Sequence, residues 1–545
     1  MAISQITLKN YDTVVAVTQN SINETLAVYL NGLQKQVALY YNVDEQGNFV
    51  PAQNPSSADY IFTGTLDYTL DTNGNPVDMV ALYTDKGVQT VAYNITFSNA
   101  EFKSTIPPKF DVSQQAGASP WVISFLVDLK NAEVTLSELP EGTQAAIKNA
   151  TKDLPANMFS IQQLYLDLNN SVFDSFQNIT GMNTFAGAIL TGIMQSYLAS
   201  LQKSGGIIFG YSIKLTPSNL PPPTFAPTAL DFCVTPYTDN SGNHSNPGLD
   251  TLNYLIMTNN NALPAQPPSA FGFNWVDDPT NQGAMAVRHD LYINFLIGQL
   301  NGMLQAISPV PYVKADANKT SENQTMQLNA GSPAKFTLVS PPQSGVIATY
   351  SYNPATASDT AYVFGGSQSV SLTYSSTCKV TANGPLISIS GASVVSADSA
   401  ANSMGSVDEV KMPATTFSWS VDLRLQMDPS QNGELNYGIE NPNFNSAPTV
   451  APNDESAWQK FLDAGCYTEF ATDPGGIRET ISTNILGQIQ QALAKSIKTA
   501  NNFVFPGGAT FLFKNPGLTN TDDLAANITY MTPGSASVKT AAGSN

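Results

Sequence analysis

Phe417-Ser418-Trp419-Ser420-Val421-Asp422-Leu423-Arg424-Leu425-Gln426-Met427 places an apolar side chain at every second position. Successive side chains on a strand point to opposite faces, so this stretch predicts a long strand with one face buried and one in water. Trp121, Ile123, Phe125, Val127 and Leu129 alternate in the same way, with a partly apolar second face. Tyr60–Leu70 and Gly87–Phe97 read as further strands, and Gln46-Gly47, Asn73-Gly74 and Asn432-Gly433 supply turns. Long antiparallel hairpins are the expectation.

Four other segments switch to a spacing of three and four. The first runs from Asp12, an N-cap residue type, to Gly32, with Val15, Ile22, Leu26, Tyr29 and Leu33 on one stripe. The second covers about 182–203, with Phe185, Ile189, Ile193, Tyr197 and Leu201 at every fourth position. Gly187, Ala188 and Gly192 thin it, and Gly205-Gly206 ends it. The third spans roughly 284–307, through His289, Ile293, Leu296, Leu300, Met303 and Ile307, and stops before Pro309. The fourth follows Pro474-Gly475-Gly476 and reaches about Asn502, with Ile477, Ile481, Ile485, Ile489, Leu493 and Ile497 four apart.

These elements recur in order. A helix leads through strands to a Trp-initiated strand and then to an apolar helix, with the Trp and the last helix about 60 residues apart in both passes. Each final helix is followed by an aromatic, β-branched run, Ile207–Tyr211 in one case and Phe503–Gly507 in the other. The predicted fold is α+β, with two tandem elongated modules in which long twisted antiparallel sheets wrap around long apolar helices. The modules occupy 1–215 and 284–532, joined by a Pro-rich connector at 216–283 that contributes shared strands (Ala229–Tyr237 and Leu252–Met257). Small polar residues at 533–545 predict a disordered tail.

Composition narrows the function. The 545 residues are only 12% charged, about half the usual roughly 25%. The apolar share, 42%, is close to ordinary, so there is ample material for large cores. A net charge of −19 excludes a nucleic-acid partner, which needs a basic footprint, and disfavours broad contact with anionic membrane. No basic n-region precedes an apolar core at the N-terminus, and no window approaches 18 uninterrupted apolar residues. The expectation is a chain without a transmembrane segment, cytoplasmic or released without a classical leader. Cys233, Cys378 and Cys466 are odd in number and widely spaced, which predicts buried free thiols and neither a disulfide scaffold nor a zinc site.

Catalytic signatures are absent from the sequence: there is no G-x-S-x-G, no G-x-x-x-x-G-K-[ST] and no H-E-x-x-H. His289 falls on an apolar stripe, as a core or interface histidine, and His244 falls in a Gly/Asn/Ser loop, where exposure is expected. The loop Asp71–Asp78 offers oxygen ligands but lacks the terminal Glu of a calcium loop, so a turn is the simpler reading. Neither a catalytic group nor a metal ligand nor a cofactor is assigned. The apolar stripes remain. If the interior is underfilled, an acyl chain can complete it, and the cavity-lining candidates are Val15, Ile22, Leu26, Ile189, Ile193, Leu201, Leu296, Leu300, Ile481, Ile485, Ile489 and Leu493.

Tyr11-Asp12-Thr13-Val14-Val15-Ala16-Val17 running into Asn20-Ser21-Ile22-Asn23, and Leu252-Asn253-Tyr254-Leu255-Ile256-Met257-Thr258, are similar to stretches of the OrfX and P-forty-seven-type accessory proteins of clostridial neurotoxin gene clusters. With the order of elements, the chain resembles the tubular lipid-binding (TULIP) superfamily. The resemblance implies a TULIP fold, a phospholipid or other long-chain lipid held in a groove, and a protein partner in a toxin or other secreted complex. Two further readings compete with non-enzymatic lipid binding. One is an assembly component with no lipid ligand; the other is a glycan-binding β protein, for which clustered exposed aromatics on loops are expected.

Overall fold

A computed structural model describes residues 8–31, 36–67, 78–83, 85–151, 159–215, 227–317, 322–332, 334–343, 345–363, 365–403, 406–428, 434–444, 449–450, 487, 503–504, 510–519 and 523–531. The turns at Asn73-Gly74 and Asn432-Gly433, the loop 71–77, Cys466 and the tail 533–545 lie outside the described residues. So does the fourth helix with Ile481, Ile485, Ile489 and Leu493, apart from Gly487, which is helical and exposed.

The described chain is mostly antiparallel sheet with few helices. A central sheet has six strands in the spatial order Ala229–Thr235, Thr251–Met257, Thr13–Thr18, Gly283–Val287, Leu524–Met531 and Thr510–Leu518. It is buried on both sides. Val15, Val17, Leu252, Tyr254, Ile256, Met285 and Val287 join the large core. Val14, Ala16, Leu255, Met257, Ala284 and Ala286 face a smaller cluster closed by Phe271, Trp275 and Val276.

This double burial corrects two sequence expectations. The segment 12–32 is not one helix: Thr13–Thr18 is a strand, all six residues buried, and the helix is Gln19–Asn31. Likewise Gly283–Val287 is a strand, followed by the helix His289–Leu300 and a 3-10 segment Asn301–Ile307. A strand covered on both faces carries no polar alternation, so its residues merge with the helical pattern beside them. The β-branched run Thr13-Val14-Val15 was the available sign. His289 consequently opens its helix, half-buried, and does not sit on the buried stripe.

The N-terminal sheet runs in the order Phe503–Val504, Ile208–Leu215, Phe159–Leu166, Trp121–Val134, Thr90–Ser104, Tyr60–Leu66, Gln36–Val43 and Phe49–Pro51. The alternation from Trp121 to Leu129 has the physical basis expected of it, because all five apolar side chains are buried. The two runs that follow the apolar helices in sequence pair with each other here, Tyr211 with Val504 and Ser212 with Phe503.

The C-terminal sheet runs Thr337–Gln343, Val346–Tyr352, Gly366–Asn383, Leu386–Ser403, Ser406–Asp428 and Glu434–Phe444. Trp419 lies within its strand and does not start it, because the Ser-, Thr- and charge-rich residues before it are carried by pairing to Leu386–Ser403. One face of this sheet meets the helix His289–Leu300 and its 3-10 extension through buried hydroxyls. Tyr292 Oη and Tyr437 Oη are 3.0 Å apart, Ser308 Oγ and Tyr350 Oη 2.5 Å. Tyr374 Oη and Ser376 Oγ both donate to the carbonyl of Ile307. Burial pushes the Tyr374 phenol up to about 12, so it stays a donor at any ordinary pH.

Burial also raises the carboxyl of Asp231, on the edge strand of the central sheet, although Phe232 N and Gln89 Nε2 donate to it. A folded-state value raised above the unfolded one means the folded protein holds the extra proton. Stability therefore falls as pH rises from the ordinary carboxylate range through the raised value. Asn keeps the same acceptor oxygen without the charge. Asp231→Asn is expected to melt at a higher temperature than the parent at pH 7 and at the same temperature near about pH 3; equal melting at both pH values would refute this assignment.

Candidate functional site

The helix Thr184–Lys203 starts at Asn183, whose side chain accepts from Ala186 N at 2.8 Å, and carries no charge before Lys203. Among the described residues it is the one helix long and apolar enough, by length and composition, to cross a membrane. Its polar interruptions are satisfied within the helix: Thr191 Oγ1 donates to Gly187 O at 2.9 Å and Ser196 Oγ to Gly192 O at 3.0 Å. Ala186, Gly187, Leu190, Ile193, Met194 and Leu198 face the protein core.

The glycines decide how the sheet meets this helix. A Cβ on Gly192 would stand 2.2 Å from the ring of Phe49, and one on Gly187 would stand 3.4 Å from the ring of Phe176. Each ring therefore seats against bare helix backbone. Along one flank Phe49 meets Tyr60 with centroids 6.4 Å apart, Tyr60 meets Phe110 at 6.4 Å, and Phe110 meets Phe185 at 6.5 Å. Along the other, Phe176 lies 4.5 Å from Phe173, which lies 5.9 Å from Phe125.

This seam is only half closed. Phe49, Phe110, Phe173, Phe176, Met182, Ile189, Tyr197 and Leu201 are all partly buried against the core. Phe185, 42% exposed, stands at its rim. Apolar surface gathered in this way marks an interaction site more often than scattered exposed residues do.

The candidate residues named from sequence separate into groups. Val15 sits on the central strand, Ile22 and Leu26 on the helix Gln19–Asn31, and Leu296 and Leu300 on the helix against the C-terminal sheet. These five and Ile193 are buried, whereas Ile189 and Leu201 are half-buried on the seam; all eight belong to one apolar cluster. Sequence reasoning missed the aromatic flanks. Phe173 and Phe176 are three apart in Val172–Gln177, which breaks strand alternation, and a register shift between Phe173 and Ser175 accounts for it. Phe49 follows the Gln46-Gly47 turn that the sequence does reveal.

Three further regions stand apart from the seam. Asp12, fully buried, pairs with Arg288 at 3.0 Å, and its other oxygen accepts from Thr258 N, Thr258 Oγ1 and Asn261 Nδ2. Asn259, Asp290, Leu291 and Asn294 complete the lining of a 410 Å³ cavity there. His244 is exposed in a loop, as the sequence indicates, and is also held by the buried Asp250, with Nε2 at 2.8 and 2.9 Å from its two oxygens. The third is a largely apolar 540 Å³ cavity on the C-terminal sheet, lined by Thr349, Tyr350, Thr377, Cys378, Lys379, Ser390, Gly391, Ala392, Ser418 and Trp419. Burial pushes the Cys233 and Cys378 thiols up to about 12, so neither is a thiolate at neutral pH. Among the described residues no group of three His, Cys, Asp or Glu is arranged to hold a metal.

No protein-family model matches the chain, and no curated protein matches it in sequence. In structure, the similarity is to P47. P47 from Clostridium botulinum A2 aligns with 10% identity and a TM-score of 0.45, covering 96% of this chain and 99% of that one. P47 of Clostridium botulinum E1 aligns with 11% identity and a TM-score of 0.43, covering 95% and 98%. A lipopolysaccharide binding protein aligns with 10% identity and a TM-score of 0.30, covering 96% and 99%.

Proposed function

We propose that the protein binds a lipid or other long-chain amphiphile without catalysing a reaction on it, and that the acyl chain lies along the helix Thr184–Lys203. The observation that carries this reading is the half-closed aromatic seam. It offers a continuous apolar surface with a thin helix as its floor, and an alkyl chain gains about 0.8 kcal/mol for each CH₂ that leaves water. Tandem tubular modules and a protein partner, which the sequence resemblance implies, belong to the same proposal.

The test is native mass spectrometry of gently purified protein with lipid extraction, followed by titration of the delipidated protein with a fluorescent fatty acid. Co-purifying lipid and saturable binding are expected. Ile189→Asp, a charge set on the half-buried side of the helix, is expected to weaken fatty-acid binding at least about tenfold, roughly 1.4 kcal/mol, with the fold retained. A ligand-free protein that takes up no fatty acid would refute the reading.

One observation favours the assembly-component alternative. Ile193, Leu296 and Leu300 are fully buried among other side chains, as they would be in tubes filled by the protein itself. Under that reading the mass spectrum shows protein alone and the seam is covered by another polypeptide.

A further inference from the structure

The hydrogen bonds around the 410 Å³ cavity at the end of the central sheet all run one way. Asp12, with no exposed surface, accepts from Thr258 N, Thr258 Oγ1 and Asn261 Nδ2 at 2.8, 2.9 and 2.9 Å. Its chemistry orients the neighbours. Paired with Arg288, this carboxylate has no proton to give, so Asn261 turns its NH₂ toward it. The Thr258 hydroxyl spends its single proton on Asp12, and toward Asn259 it can only accept; Asn259 Nδ2 donates to it at 3.2 Å. Both amide NH₂ groups are thereby spent inside the protein. The carbonyl oxygens Asn259 Oδ1 and Asn261 Oδ1 make no hydrogen bond with described residues, and both side chains line the cavity.

Arg288 is spent in the same way. Its Nε and Nη2 donate to the two oxygens of Asp290, and Nη1 faces Asp12 Oδ1 at 3.0 Å. Asp523, which accepts from His289 N at 2.7 Å, is a third carboxylate acting on the same guanidinium. Even at the centre Asp12 Oδ1 receives no aligned hydrogen bond from a described residue. The wall therefore has its donors committed and its acceptors open, with three carboxylates around one cation. These groups converge, because Asp12 touches Arg288 and Asn261 directly and Arg288 touches Asp290. Asn294 lies four residues after Asp290 on the helix His289–Leu300 and so shares its face, and Leu291 gives the cavity an apolar side.

A complementary ligand brings positive charge and several N–H donors. A primary ammonium has three donors and no acceptor. A bare metal ion fits less well: among the described residues no three His, Cys, Asp or Glu are arranged to hold one, and 410 Å³ leaves room for a carbon stem. We infer that this cavity binds the ammonium group of a small organic amine through Asn259 Oδ1, Asn261 Oδ1 and Asp290, with its stem against Leu291. The site shares no residue with the seam along Thr184–Lys203. A net charge of −19 draws cations to the chain as a whole.

Isothermal titration of the full chain with butane-1,4-diamine tests the inference. Single-site binding is expected, weakening as ionic strength rises. Tetramethylammonium keeps the charge without N–H donors, and butane-1,4-diol keeps the stem without the charge; each is expected to bind at least about tenfold more weakly. Asn294→Lys sets a tethered ammonium at the cavity and is expected to weaken diamine binding at least about tenfold with an unchanged melting temperature. Gln299→Lys, on the same helix but outside the lining, is expected to bind as the parent does. Monomeric dihexanoyl phosphatidylethanolamine separates the two sources of such an amine. Tighter binding than the diamine, lost in Asn294→Lys, identifies a lipid headgroup, and weaker binding identifies a free amine; both support the site. The inference is overturned if the diamine does not bind, if either control compound binds as tightly, if Asn294→Lys binds as the parent does, or if Gln299→Lys loses as much.

Discussion

Asp12→Ala is expected to destabilise the protein by about 3 kcal/mol, chiefly because buried donors lose a charged acceptor. Arg288, 34% exposed, keeps Asp290 as a second partner. Asp12 has no exposed surface, and each of its carboxylate oxygens is engaged. One faces Arg288 Nη1; the other accepts three hydrogen bonds from the segment 258–261. Truncation leaves the Thr258 amide, the Thr258 hydroxyl and the Asn261 amide without their acceptor inside the protein. The damage is also topological. Asp12 immediately precedes the strand Thr13–Thr18, Thr258 follows the strand Thr251–Met257, and Arg288 follows Gly283–Val287. One carboxylate therefore pins the ends of three adjacent strands. Asp12→Asn keeps one acceptor oxygen and is expected to lose less. Chemical denaturation checks both, and an Asp12→Ala loss below about 1 kcal/mol would show that the pair is not coupled to folding.

Gly391→Val is the second large effect, expected to cost about 3 kcal/mol or to prevent folding of the C-terminal sheet. A Cβ at this position would lie 2.4 Å from Trp419 Cζ2 and 2.6 Å from the carbonyl oxygen of Thr377. A ring can shift by a few tenths of an ångström, but a carbonyl held in a strand ladder cannot. Ala392→Val, one residue along, is the matched control. It points to the other face, half-exposed, and is expected to leave the melting temperature nearly unchanged. Comparable losses at 391 and 392 would refute the register on which the cavity rests.

The parts of this fold that sequence reveals are those with one wet face. Phe417–Met427 announces itself because water enforces polar residues at alternate positions; Trp121–Leu129 does so less cleanly, because Val122 and Leu126 lie on its second face and Ser124 is buried there. The helix Thr184–Lys203 is visible by its spacing and its end at Gly205-Gly206, but its buried face is Ala186, Leu190, Ile193, Met194 and Leu198. Of the every-fourth stripe read from sequence only Ile193 is fully buried. Thr13–Thr18 and Gly283–Val287 are hidden because burial on both faces removes the alternation. The seam is half legible. Ile189 and Leu201 belong to a helical stripe, but Phe49, Phe110 and the pair Phe173 and Phe176 come from three separate places, and only pairing and a strand irregularity bring them to one helix. The C-terminal cavity is invisible in sequence because serine, threonine, glycine and one lysine on a strand look like ordinary solvated surface until register aligns them.

The central sheet has a consequence for how the chain is made. Gly283–Val287 is flanked by Thr13–Thr18 on one side and by Leu524–Met531 on the other. During synthesis on a ribosome the first neighbour is in place early, but the second emerges some 240 residues later. For that interval the nascent protein carries an open, apolar strand edge of the kind that recruits other chains. Closure over so long a separation is also slow, since loop entropy must be met before the pairing rewards it. In a polypeptide of this topology that one short edge stays unpaired until the hairpin formed by Thr510–Leu518 and Leu524–Met531 has been made.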